Sequence, residues 1–242
     1  QAAFFNSSNA VAGNFYTKLN NFTAYIKLGE VNDSLVNYIS KLQAQLPANQ
    51  LADTSSSFPL LIDSSLQQRY FYTGSKVINN TVAFRNNYLT LDKGSLAGIK
   101  ARSAVVSPLG IVGIVKDVSP HFSTVISVLN KNARISARLK STGTAGTVLW
   151  SGGNYREADL IEIPEHVELK VGDTVLTSPY SSIFPDGLFI GRISEINLPA
   201  GSSTYEIKLK LGVDFKQLTY VWVVEDYLRG ERDSIESQLI YE

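Results

Sequence analysis

Cysteine and methionine are both absent from this 242-residue chain, and histidine occurs only twice. The first absence excludes disulfides, thiolate nucleophiles and sulfur-ligated zinc. A chain that opens on Gln1 without an initiator leads us to expect a segment upstream in the natural protein. Net charge is lacking as well: 22 Lys and Arg balance 22 Asp and Glu. No field therefore concentrates nucleic acid, and no local basic patch in the sequence replaces it. No apolar run approaches the roughly 20 residues of a membrane-spanning helix, so any anchor is expected in the upstream part. What is present suits a packed protein, because 44% hydrophobic with 18% charged residues is not a disordered profile.

Five regions follow along the chain. Residues 1–46 read as a long helix of coiled-coil type, since no proline interrupts Asn9 to Leu46 before Pro47 closes the segment. Phe15, Leu19, Phe22 and Ile26 keep a heptad seam, and after Gly29 a second phase runs through Leu28, Val31, Leu35, Tyr38 and Leu42. About 37 residues at roughly 1.5 Å each give a rod of about 55 Å, longer than one small barrel can cover. The stripe therefore pairs with another copy, or the helix folds back on the globular part. Residues 47–69, serine-rich and broken by Pro47 and Pro59, read as a linker and hinge.

Beyond Tyr70 the period changes to two. Twelve short β-type runs, from "YFYTGSKVI" to "VWVVE", are separated by Gly, Pro, Asn and Asp. Regular spacing without helical stretches between runs argues for a mainly β fold of barrels or sandwiches. "SAVVS" at 103–107 and "DTVLTS" at 173–178 repeat in phase at an offset of 70, and the strands after them, "VGIVKDV" and "IGRISEI", at 78. A duplication gives two barrels, 70–145 and 146–226, the second with about eight extra residues in its hairpin. The polar tail, 227–242, is expected to be loose or docked on a neighbouring copy.

Those extra residues hold "SPYSSIFPDG". Pro185, Asp186 and Gly187 are turn-forming residues, whereas Tyr180, Ile183 and Phe184 put large apolar surface in a connection. Two readings stand: the three plug an open barrel end, or they form a contact surface for a partner. Here the sequence resembles the MreC family of cell-shape-determining proteins. The resemblance is carried by Thr177-Ser178, by Phe184-Pro185-Asp186-Gly187, by Ile190-Gly191-Arg192-Ile193 and, upstream, by "LDKGSLAGIKARSAVVSPLGIVGIVKDVSPHFSTVISVLN". It spans about Tyr88 to Val224. Pro179 departs from it, standing where the family has glycine and donating no N–H.

The resemblance implies two small six-stranded β-barrels related to the barrel pair of trypsin-like proteases. It implies a bacterial periplasmic scaffold of the elongation machinery, anchored to the inner membrane by an upstream helix, that maintains cell shape and regulates peptidoglycan synthesis. Implied partners are a second copy, the elongation transpeptidase and glycosyltransferase, and the MreD and MreB system, with no nucleic acid and no cofactor. The partner-binding candidates are Tyr180, Ile183, Phe184, Pro185 and Gly187.

The protease-like relation makes an envelope hydrolase, or a peptidoglycan-binding module, the alternative. His121 in "SPHFS" and His166 in "PEHVELKVGD" lie in turns, without a pattern that brings a catalytic serine beside either. Asp159, Glu162 and Glu165 near His166 lack metal-ligand spacing, "STGTAGTVLWSGGN" lacks the Gly-Lys-Ser/Thr of a phosphate loop, and no carboxylate pair is singled out. Trp150 and Trp222 are core residues or a carbohydrate or partner platform. We expect no catalytic, cofactor or metal site. For self-association the expectation is direct: in sedimentation the chain runs as a larger species than one lacking residues 1–46, beyond the difference in mass of a single copy.

Overall fold

The computed structural model describes residues 34–42 and 69–239. Residues 34–42 form helix α1. Each of the twelve β-type runs falls on a strand: β1 (Tyr70–Asn80), β2 (Asn86–Leu91), β3 (Ala104–Ser107), β4 (Gly110–Val118), β5 (Ser123–Asn130), β6 (Ile135–Leu139), β7 (Ala145–Leu149), β8 (Glu157–Pro164), β9 (Thr174–Thr177), β10 (Phe189–Asn197), β11 (Thr204–Leu211) and β12 (Tyr220–Asp226). A second helix, α2 (Arg229–Leu239), follows. The linker 47–69 lies outside the described residues except for Arg69. No helix among the described residues is long and apolar enough to cross a membrane.

The strands close into two six-stranded antiparallel barrels, in the orders β1-β12-β3-β4-β5-β2 and β10-β11-β8-β7-β6-β9. Period-two patterning explains the closure, because alternate residues point inward and pack. In the first barrel Leu89 faces Val125, Val125 faces Val115 and Val105 faces Val223, all buried. In the second, Leu160 lies between Val148 and Ile207, and Leu209 between Ile193 and Ala158. Trp150 and Trp222 are buried as well, so neither offers a platform.

The barrels match strand for strand. β1 to β5 occupy the places that β7 to β11 occupy in the other barrel, and the repeated segments are the equivalent hairpins β3–β4 and β9–β10. The sixth position is filled crosswise. β6 follows the first five strands in sequence but sits between β7 and β9, while β12 follows the second five and sits between β1 and β3. The division read at residues 145 and 146 is thereby corrected: residues 135–149 belong to the second barrel, and 220–226 close the first. A repeat marks which strands are equivalent, but an open five-stranded sheet has two free edges that either copy of the sixth strand satisfies.

The barrels also meet backbone to backbone. A Cβ on Gly110 would stand 2.5 Å from the Phe189 carbonyl oxygen, and one on Gly212 would stand 2.4 Å from that of Leu109. Only glycine permits this approach. The crossing makes the halves inseparable. Residues 70–145 alone should show no cooperative thermal transition by circular dichroism, whereas residues 69–239 should unfold cooperatively.

Candidate functional site

The loop between β9 and β10 is built from its base upward. The buried Thr177 hydroxyl donates to the Pro185 carbonyl at 2.6 Å and accepts from the Leu188 N–H at 2.8 Å, while the Gly187 N–H returns to the Thr177 carbonyl at 3.2 Å. Gly187 takes φ 80°, as the Pro-Asp-Gly turn requires. Asp186 accepts two bonds from Arg138, at 3.0 and 3.3 Å, which pins the tip to β6. Ser181 Oγ receives the N–H of Phe184 at 2.9 Å and of Ile183 at 3.3 Å. The loop is thus a defined structure.

Its apolar residues divide. Phe184 is only 4% exposed and Pro185 is buried, so these two fill the interior; Ile183 is half-buried, and Tyr180 stands 83% exposed. Phe184 and Pro185 thus fit the plug reading, whereas Tyr180 leaves its ring in solvent.

The tail is not loose. The Asp226 carboxylate accepts the Leu228 N–H at 3.1 Å, and α2 begins directly after. From α2, Arg232 donates to the Ser182 carbonyl at 2.7 Å and Arg229 to the same oxygen at 3.3 Å, while Arg229 also donates to the Arg102 carbonyl. Arg102 pairs with Asp233 at 3.3 Å, and Asp226 holds Arg69 through two bonds of 3.2 and 3.3 Å with Arg232 at 3.6 Å. The helix that leaves the first barrel is thus bonded to the loop of the second. Burial lowers the Arg229 pKa, with the neighbouring Arg102 adding to the shift, while the Asp226 hydrogen bond raises that of Arg69. Tyr70 is pushed up by burial.

Two hollows adjoin here, sharing Arg69 and Arg232. One, of about 120 Å³, is lined by Pro179, Ile183 and Phe184; the other, of about 390 Å³, by Leu228, Glu231, Ile235 and Glu236. Sequence reasoning placed the loop in this site but missed Arg69, Arg229 and Arg232. The available signal was "RGER", whose arginines stand three apart and share one face once the segment is helical.

Of the self-association residues, Phe15, Leu19, Phe22, Ile26 and Val31 lie outside the described residues. Leu35, Tyr38 and Leu42 are exposed at helical spacing along α1, with Val36 and Ser40 buried on another face. His121 and His166 are exposed, in different barrels, and among the described residues neither is hydrogen-bonded to a serine. Glu162 is bonded to Thr147, and Asp159 to Ser151 and Lys208. The described residues hold no cluster of three metal-ligating groups.

Residues 77–225 match the family described as rod shape-determining protein MreC, barrel core. The chain is 27% identical over 154 residues to the cell shape-determining protein MreC of Listeria monocytogenes, which covers 62% of this chain and 52% of that relative. It spans about half the length of that curated relative. A solved MreC structure from Listeria monocytogenes has a TM-score of 0.61 at 21% identity, covering 83% of this chain and 91% of the other. A chain in the solved complex between PBP2 and MreC from Helicobacter pylori has a TM-score of 0.50 at 19% identity, covering 65% and 100%. At these identities the structural likeness is one of fold.

The division of the loop has a measurable consequence. Phe184→Ala should cost about 3–5 kcal/mol in urea unfolding, as for other buried aromatics. Tyr180→Ala, with its side chain in solvent, should stay within about 0.5 kcal/mol.

Proposed function

Because the chain belongs to the MreC family of rod shape-determining proteins, we propose that it works by contact and carries out no chemistry, as a periplasmic scaffold that organises the synthases of bacterial wall elongation. The carrying observation is the exposed Tyr180, held on a loop that is bonded both to its own barrel and to α2. A large aromatic in solvent on a rigid support suits an interface anchor, because little conformational entropy is lost when it is covered. Ile183, half-buried beside the hollow, extends the contact. Phe184, Pro185 and Gly187 position it from within or below.

The occupant in this reading is the elongation transpeptidase. The relative solved in complex with PBP2 supports it, and the glycosyltransferase is included in the proposal as a further partner. The MreD and MreB link and the inner-membrane anchor enter this reading from the family resemblance alone. Copies pair through the helix that includes Leu35, Tyr38 and Leu42, whose exposed stripe supports this. The dimer carries two loops to the wall machinery.

The rival hydrolase predicts turnover, so one experiment separates the two. Tyr180→Ala should weaken binding to the transpeptidase at least tenfold, read by surface plasmon resonance, with the thermal midpoint unchanged. Hydrolysis of wall fragments by the wild-type chain that disappears in His121→Ala or His166→Ala would overturn the scaffold reading.

A further inference from the structure

The outer face of the second barrel is hollowed where a closed sheet is ordinarily convex. β10 carries an extra residue at Ser194, seen as a register shift between Ile193 and Glu195 against β11. β8 carries another at Ile161 and Glu162, opposite the step from Tyr205 to Ile207, and Glu162 adopts the left-handed φ of 69°. Bulges on both neighbours of β11, opposite Lys208 to Leu209 and opposite Tyr205 to Ile207, bend the sheet on either side of it. Beside these bulges lies a groove of about 360 Å³ that shares no lining residue with the hollows at the β9–β10 loop.

Its lining joins two chemistries. Leu149 and Ile161, half-exposed, form an apolar floor, and Asp159, Glu195 and Glu206 set three carboxylates around it against one ammonium, Lys208. Lys208 is already committed to Asp159, and that bond raises its pKa. Asn197 reaches Glu206 at 3.5 Å. Glu195 lies across from Lys208, whose charge it also attracts, and its carboxylate accepts no side-chain hydrogen bond among the described residues. One ammonium is thus shared among three carboxylates beside exposed apolar surface, and the groove keeps an excess of negative charge that complements a cationic group.

We propose that this groove docks an extended, cationic segment of a partner protein, in which a Lys or Arg and an aliphatic residue alternate along one face. Charge complementarity selects the cation, and the apolar floor selects its neighbour. Residues two apart in an extended chain are about 6.6 Å apart on the same face, so one face can set a cation beside an aliphatic side chain as the groove sets carboxylates beside Leu149 and Ile161. A bare metal ion does not suit the site, since the described carboxylates form no metal-binding cluster, whereas a guanidinium spreads its charge over several donors. Because the sheet is closed and has no free edge here, recognition runs through side chains.

The test uses the full chain and a labelled peptide, acetyl-Arg-Thr-Leu-Thr-Lys-amide, with Glu replacing both cations in one control and Ser replacing Leu in another. Binding is followed by fluorescence anisotropy and methyl NMR. The expected result is a shift of the Leu149 and Ile161 methyls with the first peptide alone, a loss of at least tenfold in affinity in the Glu195→Gln, Glu206→Gln double variant, and a loss in Ile161→Ser that spares the residual binding of the Ser peptide. Thermal midpoints of the variants confirm folding; a variant that fails to fold is replaced by Glu195→Gln alone, with the same readout. Equal binding of the Leu and Ser peptides, shifts confined to other surfaces, or affinity unchanged in Glu195→Gln would overturn the proposal. So would a change in sedimentation of the double variant, which would assign the face to a second copy. None of these outcomes depends on whether Tyr180 binds the transpeptidase.

Discussion

Barrel closure by exchanged strands is the constraint on which the rest depends. Five strands in sequence leave β1 and β3 with open edges, and β12 closes them only after the chain has built most of the second barrel. β6 does the reciprocal service between β7 and β9. Two covalent crossings and a backbone contact at Gly110 and Gly212 then hold the barrels as one body. Surfaces on different barrels keep a set geometry as a result, which suits a protein whose proposed work is to hold others in place.

The contact between loop and α2 builds on that frame. A single carbonyl, Ser182, receives two guanidinium groups from α2, while Asp226 anchors Arg69 and Arg232. Charged donors on neutral acceptors make stronger hydrogen bonds than neutral pairs, and Arg229 is desolvated enough to lower its pKa. The loop is consequently tied at Thr177, at Asp186 and at Ser182, and burial of Phe184 fills the space beneath. Tyr180 stands in solvent on this tethered loop. Local irregularity also accompanies the opposite chemistry on the outer face, where bulges in β8 and β10 lie beside a groove with an acidic rim.

Strand positions were legible because a half-buried strand must alternate, and Gly, Pro, Asn and Asp mark where alternation stops. The repeat in "SAVVS" and "DTVLTS" pointed correctly to equivalent hairpins, and the eight-residue surplus located the loop. Barrel membership was not legible, since β6 and β12 carry the same patterning whichever sheet receives them. Of the two readings of the tail, loose or docked on a neighbouring copy, the loose one failed because a polar composition does not show that its arginines serve distant carbonyls. Tyr180 and Phe184 looked alike for a similar reason: both are large aromatics in one connection, and hydrophobicity alone does not say which side of a loop faces inward.

By itself the sequence determined the β class, the number of strands, the turn at Pro185 to Gly187 and the family, since these follow from local periodicity, turn chemistry and motif order. Tertiary structure alone decided which strand closes which barrel, which aromatic is displayed, and that Arg69, Arg229 and Arg232 converge on one site. Those outcomes depend on contacts between residues more than 40 and often more than 100 positions apart in the chain, where no local pattern carries information about the partner.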